Sequence, residues 1–422
     1  MGSFCLEVPS TVPAFVGSDL YDQEMDTVKK LTVILGIRPD LIRASLILKR
    51  LQEQLGDRLV FIWSGQHYSD SLKDVFLREL GLPSPDIELG AGGDTDASTV
   101  ASVIERLYPV LKDIDPAAAV FLGDTNTVMG CLAAAQQNIP IVHIEGCMRS
   151  YDWRMPEEKY RTTIDHLADV IYTYFDEYKD QGAAEGLNPR NIVVVQNLIV
   201  DVLNAYYFDR RDYFEGLTTP EFFEVRGLTP NEYYLMTCHR RENVEDPTVL
   251  ANIVQFLREV GYPIYFTASY RTQKNLAANG LQLSPNVTMV DPIGYEEMLA
   301  LTVNSRAVIT DSGTVVEETA VLQVPSVQMR RATERPQVYD CRSSVKLDPS
   351  RPELYPTDDV MRRLESIVGS KWQHNLGDGA ASDRVVADLV RRLSEDDFRG
   401  HLSEHHHLTD CVARSSREDG LG

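Results

Sequence analysis

Long apolar runs are missing from this sequence. No stretch of the 422 residues approaches the roughly 20 apolar residues that a bilayer-spanning helix needs. The N-terminus lacks the basic start and apolar centre of a secretory signal, and Leu6 stands where a myristoylation sequence needs Ser or Thr. Positive charge is also scarce. Against 63 Asp and Glu there are 41 Lys and Arg, a formal net charge of -22, which argues against nucleic acid or an anionic membrane as partner. The six cysteines (Cys5, Cys131, Cys147, Cys238, Cys341, Cys411) contain no Cys-x-x-Cys pair, so neither a structural zinc nor a disulfide framework is expected, and reduced thiols in a cytoplasm fit best. There is no Gly-x-Gly-x-x-Gly and no Walker lysine motif, which speaks against dinucleotide or ATP binding. His405-His406-His407 lies in a polar terminal stretch and is read as incidental. No cofactor and no metal are expected.

What is present is a steady alternation of short, β-branched apolar runs with helical spacing. The runs Leu31-Thr32-Val33-Ile34-Leu35, Leu59-Val60-Phe61-Ile62-Trp63, Ala119-Val120-Phe121-Leu122, Ile139-Pro140-Ile141-Val142, Val170-Ile171-Tyr172-Thr173 and Ile192-Val193-Val194-Val195 read as buried parallel strands. Helices are expected between them, among them 99–111 and 127–137, so the first half is an α/β, doubly wound parallel sheet. A second α/β series starts at Tyr234-Leu235-Met236-Thr237 and continues to Ser326-Val327-Gln328-Met329. The expected organisation is an N-terminal extension (1–29), a first domain (30–205), an interdomain segment (206–232), a second domain (233–378), a closing helix (379–395) and a polar tail (396–422).

The stretch 118–161 concentrates the chemistry. Asp124, in Gly123-Asp124-Thr125, and Glu145, in His143-Ile144-Glu145, fall just after neighbouring strands, at the sheet edge where α/β proteins bind ligands. Glu157, behind Pro156, falls in the first turn of the next helix. Elsewhere the pattern points to anions. Arg38 precedes Pro39 at a strand-to-helix turn with Arg43 close behind, Ser312 and Gly313 open a helix with backbone N–H groups, and Arg335 follows the last strand of this series. Glu318, about one and a half turns into its helix, suits a sugar hydroxyl.

Taken together, these motifs resemble the non-hydrolysing UDP-N-acetylglucosamine 2-epimerase family over about 31–393. The resemblance is carried by Gly36-x-Arg38-Pro39, Gly65-Gln66-His67, Gly123-Asp124-Thr125-x-Thr127, His143-x-Glu145 followed by Arg149, Pro156-Glu157-Glu158-x-x-Arg161, Cys238-His239-Arg240-Arg241-Glu242, Thr310-Asp311-Ser312-Gly313 and Thr333-Glu334-Arg335-Pro336. It implies two Rossmann-like domains facing across a cleft, glycosyltransferase-B-like, with the C-terminal helix crossing back to the first domain. It further implies a UDP-sugar as ligand, a homodimer, and catalysis by Asp124, Glu145, Glu157 and Arg161 with His239. Arg38, Arg43, Ser312, Gly313, Thr314, Glu318 and Arg335 would bind substrate. Arg43 departs from the family's usual Lys, Tyr160 from Asn and Thr314 from Gly.

The implied reaction needs several acids. The C2 hydrogen of a 2-acetamido sugar is not acidic, so C1–O cleavage comes first and C2 then gives up its proton to a carboxylate. Inverting C2 requires a proton from the opposite face. Asp124 and Glu157 are expected to divide that task, with Glu145 tuning or binding. Alternatives are a hydrolysing epimerase that releases the free sugar, an epimerase of a modified sugar such as a diacetamido uronic acid, a transferase of the same architecture, and a silent nucleotide-sugar sensor.

Overall fold

The computed structural model describes residues 29–65 and 70–401. Its strands form two parallel sheets. The first, in the order β3-β2-β1-β4-β5-β6-β7, uses β1 (Leu31–Leu35), β2 (Leu59–Trp63), β3 (Ile87–Glu88), β4 (Ala118–Leu122), β5 (Ile141–Ile144), β6 (Val170–Thr173) and β7 (Ile192–Val194). The second, β10-β9-β8-β11-β12-β13, uses β8 (Tyr234–Cys238), β9 (Ile264–Ala268), β10 (Val287–Val290), β11 (Ala307–Thr310), β12 (Ser326–Met329) and β13 (Ser344–Leu347). β1, β2 and β4 are buried along their whole length, which is why these runs do not alternate, and Thr32, the one polar residue in them, donates to the Ala118 carbonyl at 3.1 Å.

In each sheet the chain starts in the middle, winds outward on one side, and returns to wind outward on the other. The strand order therefore reverses between β1 and β4 and again between β8 and β11. Such switch points open a crevice beyond the carboxyl ends of the strands, where the two flanking loops diverge. Arg38 follows β1, Asp124 follows β4, His239 follows β8 and Ser312 follows β11. Four of the loops that carry the sequence motifs thus flank the two crevices.

The closing helix, Ala381–Glu395, returns to the first domain, with Arg50 on the helix Arg38–Leu55 reaching Asp383 at 3.1 Å and Tyr172 of β6 donating to Asp388 at 2.9 Å. Its own N-cap, Ala380, supplies no side-chain acceptor. Asp201, on the helix Leu198–Tyr206, does so instead by accepting from the amides of Ala381 and Ser382. A helix N-terminus capped from another element ties the end of the chain to the domain where it began.

Some local expectations shift. The edge strands β3 and β13 went unread, because Ile87–Glu88 is too short for a period and Ser344–Leu347 is half polar. The segment 127–137 divides into a 3-10 turn, Asn126–Gly130, and a short α-helix, Cys131–Gln136. Gly130 lies so close to the helix Asp96–Ile114 that a Cβ would stand 2.8 Å from Leu107. Between the sheets the chain forms Phe208–Arg210, Arg211–Leu217 and Pro220–Glu224. Chain order also continues past the closing helix, with Phe398 buried and His401 N–H donating to Asn191 at 2.7 Å. The N-terminal extension before residue 29, the Gln66-His67 part of the motif and the histidine run lie outside the described residues.

Cys131, Cys147, Cys238 and Cys341 are free thiols. Among the described residues no helix is long and apolar enough to cross a membrane, and no three His, Cys, Asp or Glu are grouped to hold a metal ion.

Candidate active site

β4 and β5 are hydrogen-bonded neighbours, so their end loops bring Asp124 and Glu145 to one edge. Gly123 makes the turn with φ +81°, and a side chain there would press into the Arg43 guanidinium and the Asp40 and Glu145 carboxylates. Glu145 itself takes a positive φ of 72°. A non-glycine residue held in this region stores strain that its contacts must offset.

Those contacts are strong. Glu145 Oε2 accepts from Arg43 Nη1, while Oε1 accepts from the Tyr174 hydroxyl and, at 3.4 Å, from Arg335 Nη2. Burial pushes the Glu145 pKa up, but Arg43 and Arg335 outweigh it and hold the carboxyl below the ordinary value. Tyr174 is fully buried, and burial beside Glu145 raises its pKa well above that of a free phenol, so its proton stays to make this bond. Asp40 completes the group by accepting from Arg43 Nη2 at 2.9 Å, leaving its other oxygen buried without a partner.

Asp124 receives Arg161 Nη2. Desolvation raises its pKa, yet Arg161 and then Arg240 bring it below the usual carboxylate value. Arg161 also reaches Glu158 at 2.9 Å and the Met148 carbonyl at 3.1 Å. Of the adjacent acids at the helix Pro156–Leu167, Glu158 is the structural one, accepting from the Ser150 and Tyr151 amides. Glu157 differs. Its Oε2 is buried with no hydrogen-bond partner and its Oε1 lies 3.9 Å from Arg240.

The second domain supplies the opposite wall. Asp311, fully buried, accepts from the amides of His239 and Arg240 and from Asn243, fixing the loop after β8. The half-exposed His239 ring lies 3.3 Å from the same carboxylate. Desolvation, with Arg240, Arg271 and Arg38 nearby, holds the imidazole pKa below its ordinary value against the pull of Asp311.

Ser312 caps the helix Gly313–Leu322 with its hydroxyl, and its own N–H donates to Thr310 Oγ1 at 3.0 Å. The expectation of an outward-facing Ser312 amide therefore needs correction. The first-turn amides of Gly313 and Thr314 are the ones without a preceding turn to accept them. Gly313 also leaves room for Arg335, whose Nε would stand 2.5 Å from a Cβ at that position.

A cavity of ≈ 240 Å³ lies between the domains. Arg38 and Phe76 line it from the first domain, and His239, Tyr270, Ile293 and Glu318 from the second. Ser312 and Thr314 also reach it. Arg38 packs over the Phe76 ring at 5.3 Å. Glu318 accepts from Tyr295 at 2.9 Å, and burial raises its pKa to about 7.

Arg43 and Arg335 are absent from this wall. Both are buried in the acid network behind it, Arg335 pairing with Glu317 at 2.5 Å as well as with Glu145. Tyr174, Asp40, Glu317 and Arg240 entered the site unpredicted. Of these, Asp40, Arg240 and Glu317 stand in loops or helices that the sequence marks, and Tyr174 does not.

A sequence model of the UDP-N-acetylglucosamine 2-epimerase family matches residues 49–390. A UDP-N-acetylglucosamine 2-epimerase of Methanocaldococcus jannaschii is 31% identical over 372 residues, 86% of this chain and 99% of that one. A UDP-2,3-diacetamido-2,3-dideoxy-D-glucuronate 2-epimerase of Pseudomonas aeruginosa is also 31% identical, over 373 residues, again 86% and 99%. The crystal structure of the M. jannaschii enzyme in complex with UDP-GlcNAc and UDP is similar at a TM-score of 0.77 and 30% identity, covering 86% of this chain and 99% of that chain.

Proposed function

The chain belongs to the UDP-N-acetylglucosamine 2-epimerase family, and on that premise we propose that it inverts C2 of UDP-N-acetylglucosamine to UDP-N-acetylmannosamine without net hydrolysis. The supporting observation is the meeting of the two switch points. Arg335 of the second domain contacts Glu145 of the first at 3.4 Å, so the acid network of the first domain meets the second domain beside the cavity that both domains line.

UDP lies in the cavity between Arg38 and the second domain, with its diphosphate at His239 and the Gly313 and Thr314 amides and its ribose at Glu318. The C1–O bond breaks, its electron pair leaving on the β-phosphate oxygen. One carboxylate takes the C2 proton and C1=C2 forms, giving 2-acetamidoglucal and UDP. The UDP oxygen then adds back to C1 while an acid on the other face protonates C2. Glu157 and Asp124 are the two proton carriers, since Glu145 has both oxygens engaged by Arg43, Tyr174 and Arg335. Arg161 orients Asp124.

Turnover in deuterated water is the test. One deuterium at C2 of recovered UDP-sugar is expected, with the C1–O–P linkage intact in product. Free N-acetylmannosamine would support the hydrolysing reaction, and retention of the original C2 hydrogen in active enzyme would exclude the elimination route. Repeating the assay with the diacetamido uronic acid substrate separates the two sugar classes. A homodimer, as expected from the family, is checked by light scattering.

Glu318 gives a pH-dependent prediction. Because its carboxyl titrates at about 7, its ionised form, the better acceptor for two ribose hydroxyls, is lost as pH falls through that value. UDP affinity should therefore rise from pH 6 to pH 8. Glu318→Gln should lose this rise. Protonation of His239, whose pKa is lowered, acts in the opposite direction by favouring diphosphate at low pH. Calorimetric titration of UDP at several pH values checks both.

A further inference from the structure

A second cavity lies away from this cleft. It measures ≈ 460 Å³ and lies at the seam where the first domain, the interdomain segment and the second domain meet. Lys49 comes from the helix Arg38–Leu55, Arg78 and Glu79 from the helix Asp70–Glu79, Arg210 from the interdomain segment, and Glu296 from the helix Tyr295–Val303.

Its charges are unevenly matched. Both carboxylates are already engaged. Glu79 accepts from the amides of Tyr295 at 2.7 Å and Glu296 at 3.2 Å, and Glu296 pairs with Arg210 at 2.7 Å and accepts from Tyr213 at 2.5 Å. Neither Lys49 nor Arg78 makes an ion pair within 4.0 Å among the described residues, and Arg78 acts on Glu79 only through its longer-range field. The Lys49 ammonium is held over the Tyr206 ring at 5.0 Å, beside Gly81, where a Cβ would come within 3.2 Å of it. In a chain of net charge -22, two cations without an ion pair on the wall of one cavity are an exception to the general field. The volume suits a phosphate ester, since small-molecule sites commonly span about 300–1,000 Å³.

We propose that this seam is a second ligand site, taking a phosphate group between Lys49 and Arg78, and that its occupancy favours domain closure and so strengthens nucleotide binding in the cleft. The coupling follows from position. A ligand spanning both domains and the connecting segment contacts the closed arrangement more fully than an open one, and a difference in affinity between two states is all that coupling requires. Glu79, which caps the second-domain helix from the first domain, already holds the two together at this point, and an anion beside it neutralises the cations on the same wall. Only the readout rests on the UDP reading above.

The experiment titrates UDP calorimetrically without additive, with inorganic phosphate, and with glucose 6-phosphate as a sugar-phosphate probe. Either probe should tighten UDP binding about fivefold, and the more effective one identifies the ligand as free anion or ester. Competition in the nucleotide cleft would instead weaken UDP binding, so the sign discriminates. Lys49→Gln with Arg78→Gln should abolish the tightening while leaving UDP affinity and turnover without additive unchanged. Tightening that survives in the double variant, or weakening alone in both proteins, overturns the proposal. The same probes should raise the melting temperature of the wild type and not of the variant. That readout needs no UDP, so a protein that fails to bind UDP but keeps this difference would refute the cleft assignment and leave the seam site standing.

Discussion

Glu157→Gln is expected to lower kcat by about 10³-fold, within the range for loss of a positioned acid or base, while UDP affinity stays within about twofold of wild type. The reason is the state of its oxygens. Glu145 is held on both sides by Arg43, Tyr174 and Arg335, and Asp124 is engaged by Arg161. Glu157 alone of the three keeps a buried oxygen without a partner, and an unengaged oxygen is free to receive a proton from substrate. The substitution removes that capacity with little change of shape, and Arg240, at 3.9 Å, loses only a long contact. If kcat stays within about threefold of wild type, Glu157 carries no proton, and Asp124 must serve with another group. Deuterium at C2 adds a finer readout. A variant that still releases UDP but exchanges no C2 hydrogen would place Glu157 at the deprotonation step.

Arg335→Leu should destabilise the fold by about 3–5 kcal/mol, the usual cost of breaking a buried ion pair from one side. Arg335 is almost wholly buried and faces Glu317 at 2.5 Å, Glu145 at 3.4 Å and Glu334 at 3.6 Å. Removing it leaves Glu317 with Asn197 as its remaining donor and Glu145 with Arg43 and Tyr174. Urea denaturation with an unchanged slope and a lowered midpoint checks this. A change below about 1 kcal/mol would mean that the network relaxes or that the charges are hydrated in solution. The acid limb should change too. Burial opposes the ionised form of Glu145 and Glu334, but their Arg partners prevail and hold both below the ordinary value of 4.5. Their stabilising contribution is present above that value and is lost as pH falls toward the lowered native pKa. With Arg335 gone that depression shrinks, so the variant should lose less additional stability between pH 5 and pH 3 than the wild type does.

The two predictions separate what was readable in the chain from what was not. Asp124, Glu145 and Glu157 could be located because each sits at a strand end or helix start, positions that apolar runs and Pro156 mark by local pattern. Arg38, Ser312 and Glu318 were found for the same reason, and all three line the cavity. Arg43 and Arg335 read in the sequence as anion clamps. A guanidinium suits phosphate and carboxylate equally, and nothing local tells which it will meet. Ser312 shows a similar limit: its helix start was legible, but the acceptor for its amide is Thr310 Oγ1, a geometry set by the turn. Tyr174 carried no signal, being an aromatic residue after a strand like several others.

The alternation of strands and helices, the two parallel series, the closing helix and the placing of Asp124, Glu145 and Glu157 at element ends were all set by the sequence, because they follow from periodicity and from residues fixed at those ends. Only the tertiary structure decided which oxygens are occupied and which are free. Arg43 and Glu145 are 102 residues apart and Arg335 and Glu145 are 190 apart. Their pairing depends on strand order, on two switch points brought face to face, and on burial that makes each unmatched charge costly.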